Sequence, residues 1–131
     1  MDPHASQRQP VLVEAEAFLT RLSEEIARSD RYDHTFTLLV LLPPAGDKEP
    51  PPASWLESLA TGLIRGCDIV TVFEGQRAIT VLLPETGVAG GNVLLERFRA
   101  AIGDADFTWQ ARLLEYPTNR EAIMELTEEA A

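Results

Sequence analysis

Apolar side chains recur at helical spacing near the start of the chain, with charged side chains between them. A repeat of three to four residues is typical of an amphipathic helix that buries one face. The pattern predicts one such helix over residues 11–30. Its buried face would carry Val13, Phe18, Leu19, Leu22 and Ile26, and its outer face Glu14, Arg21, Glu24, Glu25 and Arg28.

Four later stretches are rich in β-branched, aromatic and leucine residues and are short enough to be strands. The first, HTFTLLVLL, is apolar almost throughout, which predicts a strand buried on both faces. The second and third are separated only by Glu74-Gly75-Gln76, so we expect them to pair antiparallel. The predicted strands are His34–Leu42, Asp68–Phe73, Arg77–Leu83 and Phe107–Tyr116.

Residue patterns typical of helix starts lie between these strands and after the last one. Ser54 to Glu57 and Thr118 to Glu121 have the spacing of a capping box, which predicts helices starting at both places. Thr86 is a candidate N-cap for a third helix, which Gly103 would end. Before Ser54, a proline-rich segment over residues 43–52 predicts a loop, which we interpret as a spacer.

The order of these elements predicts the fold class. A strand, a helix, two strands, a helix and a strand form the split βαβ pattern, whose product is a four-stranded ferredoxin-like sheet. We therefore expect an α+β fold of the nucleotide cyclase type, with an extra N-terminal helix and a short C-terminal helix. The length of 131 residues fits one domain over residues 11–131 after a disordered leader, residues 1–10.

Charge and composition narrow the function. With 11 Lys and Arg against 21 Asp and Glu, the net charge is -10, which argues against nucleic acid and anionic membranes as partners. Cys67 is the single cysteine and cannot form an internal disulfide, and no run of apolar residues is long enough to span a membrane. His4 and His34 do not have zinc-ligand spacing. We expect a cytoplasmic protein with no cofactor.

Several fragments, in this order, resemble the GGDEF (diguanylate cyclase) family over roughly residues 15–126. They are EIARSDRY with FTLLVL, then RGCDIV, VLLPET and ERFR. Active members of that family bind Mg²⁺ through two carboxylate positions, one at the end of the first long strand and one in the signature hairpin. The resemblance therefore implies where a metal and a nucleotide would lie.

Both carboxylate positions differ in this chain. The strand-end position falls at Leu41 or Leu42, which offer no oxygen ligand for Mg²⁺. The signature is replaced by Glu74, Gly75, Gln76, Arg77 and Ala78, of which only Gly75 matches. We expect no metal site and no cyclase activity.

A second family site is retained in sequence. Arg65 and Asp68 form the RxxD of the family's inhibitory site, and Arg97 matches its accessory arginine. Guanidinium groups suit phosphate and guanine acceptors, so this set could bind cyclic di-GMP. The structural alternative stays open: Arg65 would cap a helix, Asp68 would begin a strand and Arg97 would be a solvated helix residue.

The leading hypothesis is a non-catalytic signalling module that acts through an unidentified protein partner, for which the acidic surface favours a basic patch. The alternative is a cyclic di-GMP receptor that uses Arg65, Asp68 and Arg97, and a homodimer is open in either case. An enzyme with altered nucleotide chemistry is a distant third. Trp55 and Trp109 are expected in the core or an interface, and Glu85 is interpreted as a loop charge.

Overall fold

A computed structural model describes residues 11–43, 53–63, 69–73, 78–103 and 109–130. Within these ranges the chain forms five strands and four helices. In chain order they are β1 (Val11–Leu12), α1 (Ala15–Tyr32), β2 (Phe36–Leu42), α2 (Ala53–Leu63), β3 (Ile69–Phe73), β4 (Ala78–Leu83), α3 (Val88–Ile102), β5 (Gln110–Tyr116) and α4 (Arg120–Ala130).

The strands form one sheet in the order β1-β3-β4-β2-β5. The four longer strands pair antiparallel, and β1 joins the β3 edge in parallel. The order β3-β4-β2-β5 is that of the split βαβ pattern, so the predicted ferredoxin-like sheet and the α+β class are confirmed. The predicted antiparallel pairing of β3 with β4 is confirmed as well.

The prediction that the first helix begins at residue 11 is wrong. The sequence pattern places Val11 and Leu12 in the first helix, but they pair with Ile69 and Val70 as a fifth strand, and α1 begins only at Ala15. The Val13 amide donates to the carbonyl of Val70 at 3.0 Å, which continues the pairing with the edge of β3. Backbone groups at a sheet edge offer partners that the local helical pattern does not reveal.

Three helix starts also differ from the predicted caps. The N-cap of α3 is Gly87 rather than Thr86, whose hydroxyl donates to the carbonyl of Pro84. The Thr118 hydroxyl donates to Glu115 instead of capping α4, which begins at Arg120. Helix α2 begins at Ala53, so Ser54 lies inside its first turn.

Helices cover both faces of the sheet. On one face, α2 and α3 pack on alternate residues of β2, β3 and β4, including Leu39, Leu41, Val70, Ile79 and Val81. On the other face, α1 and α4 bury Phe36, Leu38, Leu82, Leu114 and Tyr116. This explains why β2 reads as an unbroken apolar run, since both sets of its side chains meet a helix layer.

Candidate functional site

The end of β2 is the position that the GGDEF resemblance assigns to a metal ligand. Leu41 is fully buried in the core cluster that also contains Leu39, Leu56 and Ile79. Leu42 is half-buried and packs against the cluster on the opposite face. The β2 end therefore presents hydrocarbon where Mg²⁺ would need carboxylate oxygens.

The residues that the resemblance aligns with the family signature lie in the chain between β3 and β4. Phe73 pairs with Ala78 at the end of the strand pair that these residues connect, next to the end of β2, because Ile79 pairs with Leu41. The Ala78 side chain is buried in the cluster beneath α1 and offers no polar group. Glu74, Gly75, Gln76 and Arg77 lie outside the described residues.

The residues that the resemblance assigns to a second family site fall in two places. Arg65 and Asp68 lie outside the described ranges, in the connection between α2 and β3. Arg97 is exposed on α3, with no ion-pair partner among the described residues. Helix α2 packs against α3, so the connection that carries Arg65 leaves a helix adjacent to the one that carries Arg97.

A polar cluster that the sequence reading missed joins the end of α1 to the turn after β4. Glu85 Oε1 lies 3.3 Å from His34 Nδ1 and 3.5 Å from Arg28 Nη2. Both Asp33 and Glu85 have positive φ, at 58° and 52°. Glu85, interpreted from the sequence as a loop charge, therefore makes a tertiary contact between the turn after β4 and the end of α1. The cluster borders an open cavity of about 310 Å³.

A second cavity, of about 610 Å³, lies at the start of α1, against α2 and β3. Its lining includes Val13, Thr71 and Val72 and three glutamates, Glu14, Glu16 and Glu57. The Thr71 hydroxyl is engaged, since it donates to the carbonyl of Val13 at 2.8 Å. The three glutamates make the lining of this cavity acidic.

On the α1 face of the sheet, a short hydrogen bond joins the buried Tyr116 to the exposed Asp30. The Tyr116 hydroxyl donates to Asp30 Oδ1 at 2.6 Å, and its ring stacks on Phe36 with centroids 5.0 Å apart. The bond to Asp30, then burial and the negative charge of Asp30, raise the pKa of the Tyr116 phenol above its ordinary value. This contact anchors the end of β5 to α1.

The two tryptophans differ in exposure. Trp109 is only 8% exposed and belongs to the core, whereas Trp55 is 44% exposed. The centroids of the two tryptophan rings lie 6.4 Å apart. His4 and Cys67 lie outside the described ranges. The described side chains contain no group of three His, Cys, Asp or Glu residues that could hold a metal ion. Nor is any helix of this part of the chain long and apolar enough to span a membrane.

Comparisons with known proteins support the fold. No protein-family model matches the sequence, and no curated protein matches it either. The structure is similar to that of a DGC protein from Thermotoga maritima, with a TM-score of 0.68 and 16% identity over 96% of this chain and 98% of that one. The structure of PelD from Pseudomonas aeruginosa PAO1 (158 to the C-terminus) matches 77% of this chain, with a TM-score of 0.57 and 22% identity.

The chain spans only 38% of that PelD structure, whereas it spans nearly the whole of the DGC protein. At these identities the likeness concerns the fold. The GGDEF-like fold that the sequence resemblance implied is therefore confirmed.

Proposed function

We propose that this chain is a non-catalytic signalling module that acts by binding another protein. The observation that carries the proposal is the buried Leu41 at the end of β2, within a DGC-like fold. The family resemblance assigns a Mg²⁺ carboxylate to this position or to the next residue, Leu42. A fully buried aliphatic side chain neither ligates a cation nor leaves room for one.

The signature residues support the same conclusion. Arg77 stands where the family has its second metal carboxylate, and a guanidinium group is a donor without acceptor capacity. Ala78, the last residue of the degenerate signature, contributes to the core beneath α1. A domain of this kind influences a signalling pathway through what it contacts rather than through a product.

The net charge of the chain indicates which kind of protein surface would bind it. At a net charge of -10, with Glu14, Glu16 and Glu57 around one cavity, the surface favours a basic patch on the partner. Such an association weakens as salt screens the charges, over a Debye length of about 8 Å at physiological ionic strength. A complex that is indifferent to salt would contradict this description of the partner.

A cyclase assay tests the non-catalytic part of the proposal. Purified protein is incubated with GTP and Mg²⁺ or Mn²⁺, and nucleotides are separated by chromatography. We expect no cyclic di-GMP above a blank without protein. Product above the blank that disappears when the metal is chelated would overturn the proposal.

Cyclic di-GMP binding is the second candidate function. It is favoured by the exposure of Arg97 on α3, beside the helix that leads to Arg65 and Asp68. Calorimetric titration with cyclic di-GMP, with GTP in parallel, tests it. Arg65→Ala and Arg97→Ala should remove saturable binding, while Arg21→Ala, an exposed arginine on the opposite face of the sheet, should retain it. Absence of binding heat in the unmodified protein would exclude the receptor function.

A further inference from the structure

Two residues on the outer edge of β5 have backbone hydrogen-bonding groups that no described residue engages. The Glu115 amide donates to Asn119 Oδ1 at 3.0 Å and its carbonyl accepts from the Asn119 amide at 2.6 Å, so both groups point away from β2. Backbone groups alternate between the two sides of a strand. Those of Ala111 and Leu113 therefore also point outward, and no residue in the described ranges bonds to them.

The β5 edge has few of the features that usually prevent strand pairing: Arg112 and Glu115 carry charge, and Asn119 covers only the outer groups of Glu115. Its seven residues, QARLLEY, contain no proline or lysine and pair one for one with β2 without a bulge. Helices α3 and α4 contact β5, on opposite faces of the sheet. A long, regular edge strand is a template for another strand, and natural proteins normally protect such an edge.

We propose that β5 pairs antiparallel with β5 of a second copy of this chain, with Ala111 opposite Ala111. The two neighbouring symmetric registers are disfavoured, one by side-chain charge and the other by occupied backbone groups. Centring on Arg112 would place two guanidinium groups directly opposite each other. Centring on Leu113 would need the outer groups of Glu115, which Asn119 already occupies.

The Ala111 register matches the side chains on both faces. Gln110 and Arg112 are both exposed and share one face. Each Arg112 would lie opposite the partner's Gln110, whose amide oxygen accepts from a guanidinium group. On the other face, Trp109, directly before the strand, would lie opposite the partner's Leu113. Two five-stranded sheets would then become one continuous sheet.

Substitutions at the exposed Gln110 test this pairing without disturbing the core. Gln110→Arg places like charges opposite each other twice in the dimer, and Gln110→Glu places opposite charges there. We expect roughly tenfold weaker dimerisation for the first variant and tighter dimerisation for the second. The measurement is sedimentation equilibrium of the full chain from micromolar to millimolar concentration, with circular dichroism to confirm that each variant is folded.

Two further measurements address the backbone itself. In the dimer, the amides of Ala111 and Leu113 should exchange with deuterium more slowly as concentration rises, while exposed amides of α1 do not change. Ala111→Pro removes an outward amide, which an edge strand tolerates, and should abolish dimerisation. A chain that stays monomeric throughout, or a dimer unaffected by the Gln110 and Ala111 substitutions, would overturn the proposal.

Self-association through β5 does not require the signalling role proposed above, and salt distinguishes the two. Each copy carries a net charge of -10, so the copies repel and added salt should strengthen the dimer. Binding of a basic protein partner should instead weaken in salt. A dimer that weakens with salt would contradict pairing through this edge.

Discussion

Removing the Tyr116 hydroxyl measures how strongly the end of β5 is fastened to α1. Tyr116→Phe keeps the ring that stacks on Phe36 and deletes only the group that donates to Asp30. Tyr116 is 2% exposed, whereas Asp30 is exposed, so water can solvate the carboxylate once the hydroxyl is gone. A hydrogen bond to a charged acceptor contributes about 1.5–3 kcal/mol, and we expect a loss near the lower end of that range.

The pH dependence supplies a second, independent result. The pKa of Tyr116 in the folded chain is raised above its ordinary value of 10.0, so the folded state holds the phenolic proton more tightly than the unfolded chain does. The neutral phenol makes its full contribution to the free energy of unfolding below pH 10. This contribution is lost as the pH rises through the pKa of Tyr116 in the folded state. The difference in unfolding free energy between the unmodified chain and Tyr116→Phe should therefore shrink above pH 10.

Urea denaturation followed by far-ultraviolet circular dichroism, at pH 7 and at several values above pH 10, measures both effects. Tyr32→Phe is the matched control, because Tyr32 is 59% exposed. The effect of this control substitution should stay within about 0.5 kcal/mol. If Tyr116→Phe costs no more than Tyr32→Phe, or if its cost is the same at alkaline pH, the contribution assigned to the Asp30 bond is wrong.

Three other substitutions test the packing of the helices, each read from the urea midpoint. At Gly91 an added Cβ would lie 2.8 Å from Leu113 Cδ2 and 3.2 Å from Thr37 Cγ2. At Gly91 the gain in helix propensity is offset by the shift that Leu113 and Thr37 must make, so Gly91→Ala should stabilise the chain by less than Gly62→Ala does. At Gly62 an added Cβ meets no atom. Gly62→Ala should stabilise the chain by about 0.5–1 kcal/mol, and equal effects at the two glycines would refute the tight approach of α3. Glu25→Leu should raise the midpoint, because Glu25 is 5% exposed and its Oε1 has no hydrogen-bond partner among the described residues. The exposed Glu24→Leu should have little effect, and a lower midpoint for Glu25→Leu would mean that the carboxylate is satisfied.

The strand order could be predicted from the sequence because it depends on local periodicity. The apolar run of β2 and the short separation of β3 from β4 are visible in neighbouring residues. The missed features depend on distant residues. Val11 becomes a strand only because the β3 edge is beside it, and the first amide of α3, on Val88, is satisfied by Glu115 Oε2 at 3.0 Å.

The candidate site also contains some features that the sequence predicts and others that depend on distant residues. The aliphatic residues at Leu41 and Leu42 could be read directly, since a missing carboxylate is a property of single positions. The contact of Glu85 with Arg28 joins residues 57 positions apart, and no local pattern indicates it. The edge position of β5 follows from the predicted strand order, but the sequence does not show that no described residue bonds to the outer backbone groups of Ala111 and Leu113.

The burial of Leu41 has a further consequence for the metal position. A carboxylate placed there by substitution would lie among Leu39, Leu56 and Ile79, where an unpaired charge is strongly disfavoured. Leu42 is half-buried and would tolerate a carboxylate better, but its side chain lies on the opposite face of the sheet, toward α1. A single substitution at either position would therefore not rebuild a two-carboxylate site. The end of β2 contributes to the core, so rebuilding a metal site there would also require repacking of the residues around Leu41.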